Sequence, residues 1–129
     1  MSEKLTWEAV GKSSEGKILS PAWSVGNLVF TAGTVGNRPD GSYPETIEEQ
    51  TELVLKNLDN VLRAAGASLE TTVKTLVFIA NTEDQPKLNA VYGKIVTHQP
   101  ARSCVAVKFP NPKILVEIEA VATKTGHKL

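Results

Sequence analysis

Residues 71–79 read Thr71-Thr72-Val73-Lys74-Thr75-Leu76-Val77-Phe78-Ile79, and this stretch decides the fold. It is β-branched at its start and increasingly apolar toward its end, the profile of a strand entering a sheet covered on one face. Just before it, Ile47, Val54, Leu55, Leu58, Val61, Leu62 and Ala65 recur at intervals of three, four and seven, which predicts an amphipathic helix of about five turns. Thr46 and Glu49 have capping-box spacing at its start, and Gly66 stands where a left-handed backbone ends it. Further upstream, Leu28-Val29-Phe30-Thr31-Ala32 reads as a strand that Gly33 ends or bends before Thr34-Val35. Lys17 to Ser20 and Ala22 to Val25 flank Pro21, which cannot donate to a central ladder, so an edge or irregular strand is expected there. Gly36 to Gly41 is dense in turn formers and reads as an exposed loop.

Downstream, Thr82-Glu83-Asp84-Gln85-Pro86 opens a second helix with the stripe Leu88, Val91, Tyr92, Ile95 and Val96. Two strands follow, Arg102 to Lys108 and Ile114 to Thr123, separated by Pro110-Asn111-Pro112. The succession β-β-β-α-β-α-β-β implies an α+β chain, an α/β sandwich with one mixed sheet of five to six strands. Two helices cannot wrap both faces of such a sheet, so both are expected on one face. The other face reads apolar through Val29, Val77, Val105, Val107, Val116 and Ile118, and burial against copies of the same chain is expected.

The chain has 129 residues with no repeat or linker, so residues 1–129 read as a single domain. Lys plus Arg and Asp plus Glu number 14 each, which leaves no net field to gather a polyanion. Nucleic acid is a poor partner on that count. Cys104 is the only cysteine, so no internal disulfide forms. No apolar run approaches the ~20 residues of a membrane span. A cytoplasmic location is expected, with His127-Lys128-Leu129 loosely similar to a peroxisomal C-terminal address as the alternative.

Strand alternation puts Arg102, Cys104, Ala106 and Lys108 on one side, with Arg102 near the sheet's rim. A guanidinium there offers a planar fork that fits a carboxylate with two parallel hydrogen bonds. Glu117 and Glu119 share one side of the last strand, about 7 Å apart. Arg102 paired to one of them is the structural alternative. Cys104 reads better as a small buried hydrophobe than as a nucleophile, because His98 is the only imidazole near it in sequence and lies beyond Pro100. Two separated histidines make no metal site, no glycine pattern cradles a phosphate, and no cofactor is expected.

Pro100-Ala101-Arg102-Ser103-Cys104-Val105-Ala106-Val107, followed by Val116-Glu117-Ile118-Glu119-Ala120-Val121-Ala122, resembles the C-terminal signature of the Rid (reactive intermediate deaminase) or YjgF family. Gly26 to Gly33, Asn57 to Gly66, and Val73 to Ile79 leading to Leu88-Asn89-Ala90-Val91-Tyr92 agree in order and spacing, so the likeness runs from about Leu19 to Ala122. The resemblance implies a chorismate-mutase-like fold of the bacillus type, assembled as a homotrimer with sites between subunits. It implies hydrolysis of 2-imino acids and their enamines, such as 2-iminobutanoate and 2-iminopropanoate, to 2-keto acids and ammonia. By the same match Arg102 clamps the substrate carboxylate and Glu117 positions or activates water. The Cys104 backbone lies at the imine nitrogen, and Thr31 and Asn89 line the pocket. Leu19 falls where many members carry a tyrosine, and Thr34 where glutamine is usual, departures that bear on substrate range. A non-catalytic trimer that binds or senses a small carboxylate is the alternative function. An endoribonuclease or translation inhibitor, historically attached to the family, is poorly served by balanced charge and 5% aromatic residues.

Overall fold

A helix N-terminus needs its free N–H groups satisfied, and Thr46 does this for the long helix: its Oγ1 accepts the Glu49 N–H at 3.2 Å. The computed structural model describes residues 1–125; His127-Lys128-Leu129 lies outside the described residues. Helix α1 spans Ile47–Ala64, and Gly66 follows it with φ +87°. Its buried face holds the expected Ile47, Val54, Leu55, Leu58 and Leu62, together with two polar residues, Gln50 and Thr51, that apolar periodicity passes over. Gln50 is fully buried and fully used. Its Nε2 donates to the Pro44 and Lys113 carbonyls at 2.8 and 2.7 Å, and its Oε1 accepts the Leu115 N–H at 2.9 Å, which ties two loops to the helix. Helix α2, Gln85–Ile95, carries Pro86 in its first turn and buries Leu88 and Tyr92.

The strands are β1 Ser2–Lys4, β2 Ala22–Val25, β3 Leu28–Thr31, β4 Thr34–Val35, β5 Thr72–Ile79, β6 Ala101–Ala106 and β7 Val116–Thr123. They form one mixed sheet in the order β1-β2-β3-β7-β5-β6, with β4 also pairing β7. Among the described residues only β5 and β6 run parallel. The sheet has seven strands, where the sequence pattern supports five or six. Ser2–Lys4 pairs with β2 although a polar tripeptide has no periodic signal, and Ala32-Gly33 breaks one expected strand into β3 and β4. Lys17–Ser20 is loop.

Both helices cover one face, and the core there corrects the expected assignment of sides. Val29, Val77, Val116 and Ile118 are fully buried in the core that packs on the helices, and Val107 is half-buried. Alternation tells which residues travel together, but not which set meets the helices. The opposite face is nonetheless apolar: Trp23, Val25, Leu28, Phe30 and Val105 are 37–49% exposed. Leu76, Phe78 and Val121 lie half-buried between them. Among the described residues no helix is long and apolar enough to cross a membrane.

Candidate functional site

Arg102 stands on the edge strand β6, opposite Thr75 in the parallel register, and Cys104 stands opposite the buried Val77. Both side chains are therefore on the helix-covered side. Asn89 and Tyr92, three residues apart and so on one face of α2, meet the guanidinium. Arg102 Nη2 donates to Asn89 Oδ1 at 2.8 Å, and its Cζ lies 4.9 Å from the centroid of the Tyr92 ring. A guanidinium has five N–H bonds, and among the described residues Asn89 is its one hydrogen-bond partner. The rest of the fork is left for another acceptor.

Backbone direction along β6 follows from one contact. Val107 N–H donates to Ile79 O at 2.9 Å while Ala106 pairs Ile79 in register, so Ser103 and Val105 also face β5. Arg102, Cys104 and Ala106 then turn their N–H and C=O groups outward along the free edge. Arg102 and the Cys104 amide thus share one edge, with the backbone positions of the two residues roughly 6.6 Å apart along the strand. The Cys104 side chain packs half-buried against the core. His98 does not serve it as a base: its Nε2 lies 2.8 Å from Thr72 O and 3.2 Å from Thr72 Oγ1.

Glu117 belongs to the other face. On β7 it alternates with the buried Val116 and Ile118, and it pairs Val35 on one side and Phe78 on the other. With β5 between β7 and β6, Glu117 and Arg102 are two strand spacings, about 10 Å, apart across the sheet and three residues, about 10 Å, apart along it, and they lie on opposite faces. Glu119 shares the side of Glu117, so neither carboxylate forms the ion pair with Arg102 considered above. Burial raises the Glu117 pKa above 4.5, and the charge of Glu119 adds to the rise. The carboxyl rests against Gly33, where an added Cβ would lie 2.5 Å from Oε2.

Thr31 and Leu19 lie toward the opposite flank of the sheet from β6. Thr31, 8% exposed, uses its Oγ1 to accept the Ala120 N–H at 3.0 Å, where the β3–β7 ladder stops. Leu19 is 57% exposed, and its carbonyl accepts the Trp7 Nε1–H at 2.7 Å. One edge therefore gathers Arg102, Cys104 and Asn89, while Glu117, Thr31 and Leu19 lie elsewhere in the chain. Tyr92 and Gly33 belong to this geometry, yet the sequence marked them only as a stripe residue and a strand break. The spacing of Asn89 and Tyr92 on one helix face was the available signal. Among the described residues no three His, Cys, Asp or Glu side chains gather that could hold a metal.

Comparison with known proteins bears on the chain's family and fold. The family described as Endoribonuclease L-PSP matches residues 15–124. Protein HMF1 of Saccharomyces cerevisiae is 39% identical over 107 residues, covering 81% of this chain and 83% of that protein. Reactive Intermediate Deaminase A, chloroplastic, of Arabidopsis thaliana is 38% identical over 107 residues, covering 81% of this chain and 57% of that protein. The crystal structure of yeast Mmf1 superposes with a TM-score of 0.84 at 29% identity, covering 97% of this chain and 100% of that one. A member of the YjgF protein family from Neisseria meningitidis gives a TM-score of 0.81 at 25% identity, with 98% of each chain covered. With residues 15–124 matched in sequence and nearly the whole chain in fold, this chain belongs to the YjgF/Rid family, the family of the Endoribonuclease L-PSP description.

Proposed function

We propose that the chain hydrolyses reactive 2-imino acids and their enamine tautomers, such as 2-iminobutanoate and 2-iminopropanoate, to 2-keto acids and ammonia. The observation that carries this reading is the Arg102 guanidinium, laid on Tyr92 and bound to Asn89 through one of its N–H groups. The substrate carboxylate takes the open fork, and the imine nitrogen lies toward the outward backbone of Cys104. A protonated imine carbon is already electrophilic, so fixing it and placing one water at attack distance supplies much of the catalysis. Water adds to that carbon to give a carbinolamine, and the C–N bond then breaks as the carbinolamine hydroxyl gives up its proton to the departing ammonia, which leaves the C=O of the keto acid. Glu117, whose raised pKa brings its proton exchange nearer neutrality, takes the proton from water and returns it to the leaving nitrogen.

Glu117 reaches that substrate only from a second copy, since within one chain it lies on the wrong face. The homotrimer with sites between subunits, implied by the family resemblance, fits both this requirement and the apolar open face. Leu19, exposed on the flank away from β6, reaches the site by the same route and offers an aliphatic wall, whereas Thr31, buried with its Oγ1 on the Ala120 N–H, supports β7 rather than lining the pocket. No cofactor enters the scheme.

The test is keto-acid formation from imines generated in situ by an amino-acid oxidase. Arg102→Ala and Glu117→Gln should each abolish the acceleration, and mixed assemblies of the two variants should recover part of it. Equal rates for wild type and Arg102→Ala would overturn the reading. The exposed Leu19 in place of a hydroxyl favours one competitor, a carboxylate sensor, which would show tight 2-ketobutyrate binding without turnover.

A further inference from the structure

We infer that Tyr92, locked by Thr75, is the positioning residue that holds the Arg102 guanidinium ready for a carboxylate; the inference rests on the reading of Arg102 as the clamp. Thr75 is 1% exposed and stands directly beside Arg102 in the β5–β6 register. Its Oγ1 shares a 2.7 Å hydrogen bond with the Tyr92 hydroxyl, which is itself drawn into the core. The ring is thus pinned at its tip by a buried bond and at its base by α2, whose neighbouring Leu88 is fully buried. Moving the ring would strand two buried hydroxyls. Its face lies 4.9 Å from Cζ of Arg102, within the range at which the ring quadrupole attracts a guanidinium.

An arginine on an exposed edge strand would otherwise sample many rotamers, and each ligand would have to order it. Here Tyr92 closes one face of the guanidinium, while Asn89 holds one N–H. A ligand is left to approach in the guanidinium plane, where two carboxylate oxygens match two N–H groups. The substrate class selected is a small planar carboxylate. Because this support acts alike on bound substrate and transition state, loss of Tyr92 should raise KM more than it lowers kcat.

The experiment uses the full chain, with calorimetric binding of 2-ketobutyrate and NMR of the Arg102 Nε–Hε pair. Tyr92→Leu should weaken binding about five- to tenfold and remove the ring-current shift from the Arg102 signal. Tyr92→Phe keeps the ring and gives up only the Thr75 bond, so it should weaken binding about two- to threefold, less than the Leu variant, with the ring-current shift reduced but present. A residue that merely fills the core would leave the Arg102 signal unmoved in the Leu variant, and that result overturns the inference. Wild-type binding that Tyr92→Leu leaves unchanged overturns it alone. Failure of wild type to bind any keto acid overturns the clamp reading instead, and removes the role proposed for Tyr92 with it.

Discussion

Replacing Gly33 by alanine should damage catalysis while sparing the fold. An added Cβ would lie 2.5 Å from Glu117 Oε2, 2.7 Å from its Cδ and 3.1 Å from its Cγ. Ordinary contact begins near 3.4 Å, so the carboxyl must retreat by 0.9 Å at Oε2 and 0.7 Å at Cδ. What yields is the end of a flexible side chain, at a cost of about 0.5–1.5 kcal/mol in an off-rotamer position. That corresponds to a fall in Tm of about 2–6 °C. Displacement of a reacting group by about 1 Å costs up to ~100-fold in rate, so imine hydrolysis should fall about 10- to 100-fold. KM should change little, because the carboxylate anchor belongs to the other part of the site. The coupled imine assay and a thermal melt on the same sample read both effects. Wild-type kcat in Gly33→Ala would refute the role given to Glu117, and a collapse of Tm would refute the claim that only a side chain moves. Gly36→Ala is the contrast. Its Cβ would meet the Gln50 carbonyl at 2.6 Å, backbone of α1 that cannot step aside, and overpacking of that kind costs about 1–3 kcal/mol.

Two further outcomes concern stability. Gln50→Leu strands the Pro44 and Lys113 carbonyls and the Leu115 N–H around a buried position, and should cost about 2–4 kcal/mol as a lower urea midpoint with an unchanged m-value. Glu117→Gln should alter the pH dependence of stability with a defined sign. A raised pKa means that the folded chain holds the Glu117 proton more tightly than the unfolded chain does. Wild type therefore loses stability as pH rises from 4.5 through the raised value, and the Gln variant lacks that loss. Urea midpoints from pH 4 to pH 8 should move in favour of the variant over about that interval. Movement in favour of wild type would contradict the cause assigned to the shift.

Where periodicity and capping chemistry act locally, the chain is legible. Thr46, Glu49 and Gly66 bound α1 as their chemistry demands, and the apolar stripe lands on the core. Legibility fails where partners are distant in sequence. Gln50 gives no apolar signal, yet it is among the most buried residues because three backbone groups from two loops converge on it. Val29 and Ile118 were placeable together but not on a side, since the side depends on how a crossover folds back. The resemblance supplied Arg102 and Glu117 as a pair; only strand order and face reveal that one chain keeps them apart. Tyr92 was invisible as a partner of Arg102 because the parallel β5–β6 register that sets Thr75 beside Arg102 is a tertiary fact.

The two parts of the site are built with opposite stiffness, and the proposed chemistry calls for that difference. Arg102 is stacked, hydrogen-bonded and backed by a buried Tyr–Thr contact, so little of its orientation is left to be settled when a ligand arrives. The Glu117 carboxylate has no hydrogen-bond partner among the described residues, and the side-chain-free Gly33 lies close beside it. Donors aimed at it would hold it ionised and fix it in place. Without them, burial and Glu119 lift its pKa, as the proposed transfer of a proton from water to a departing amine calls for. A rigid anchor and an unencumbered acid are what hydrolysis of a small imine requires. The bare Cα of Gly33 leaves the acid the room that this freedom needs.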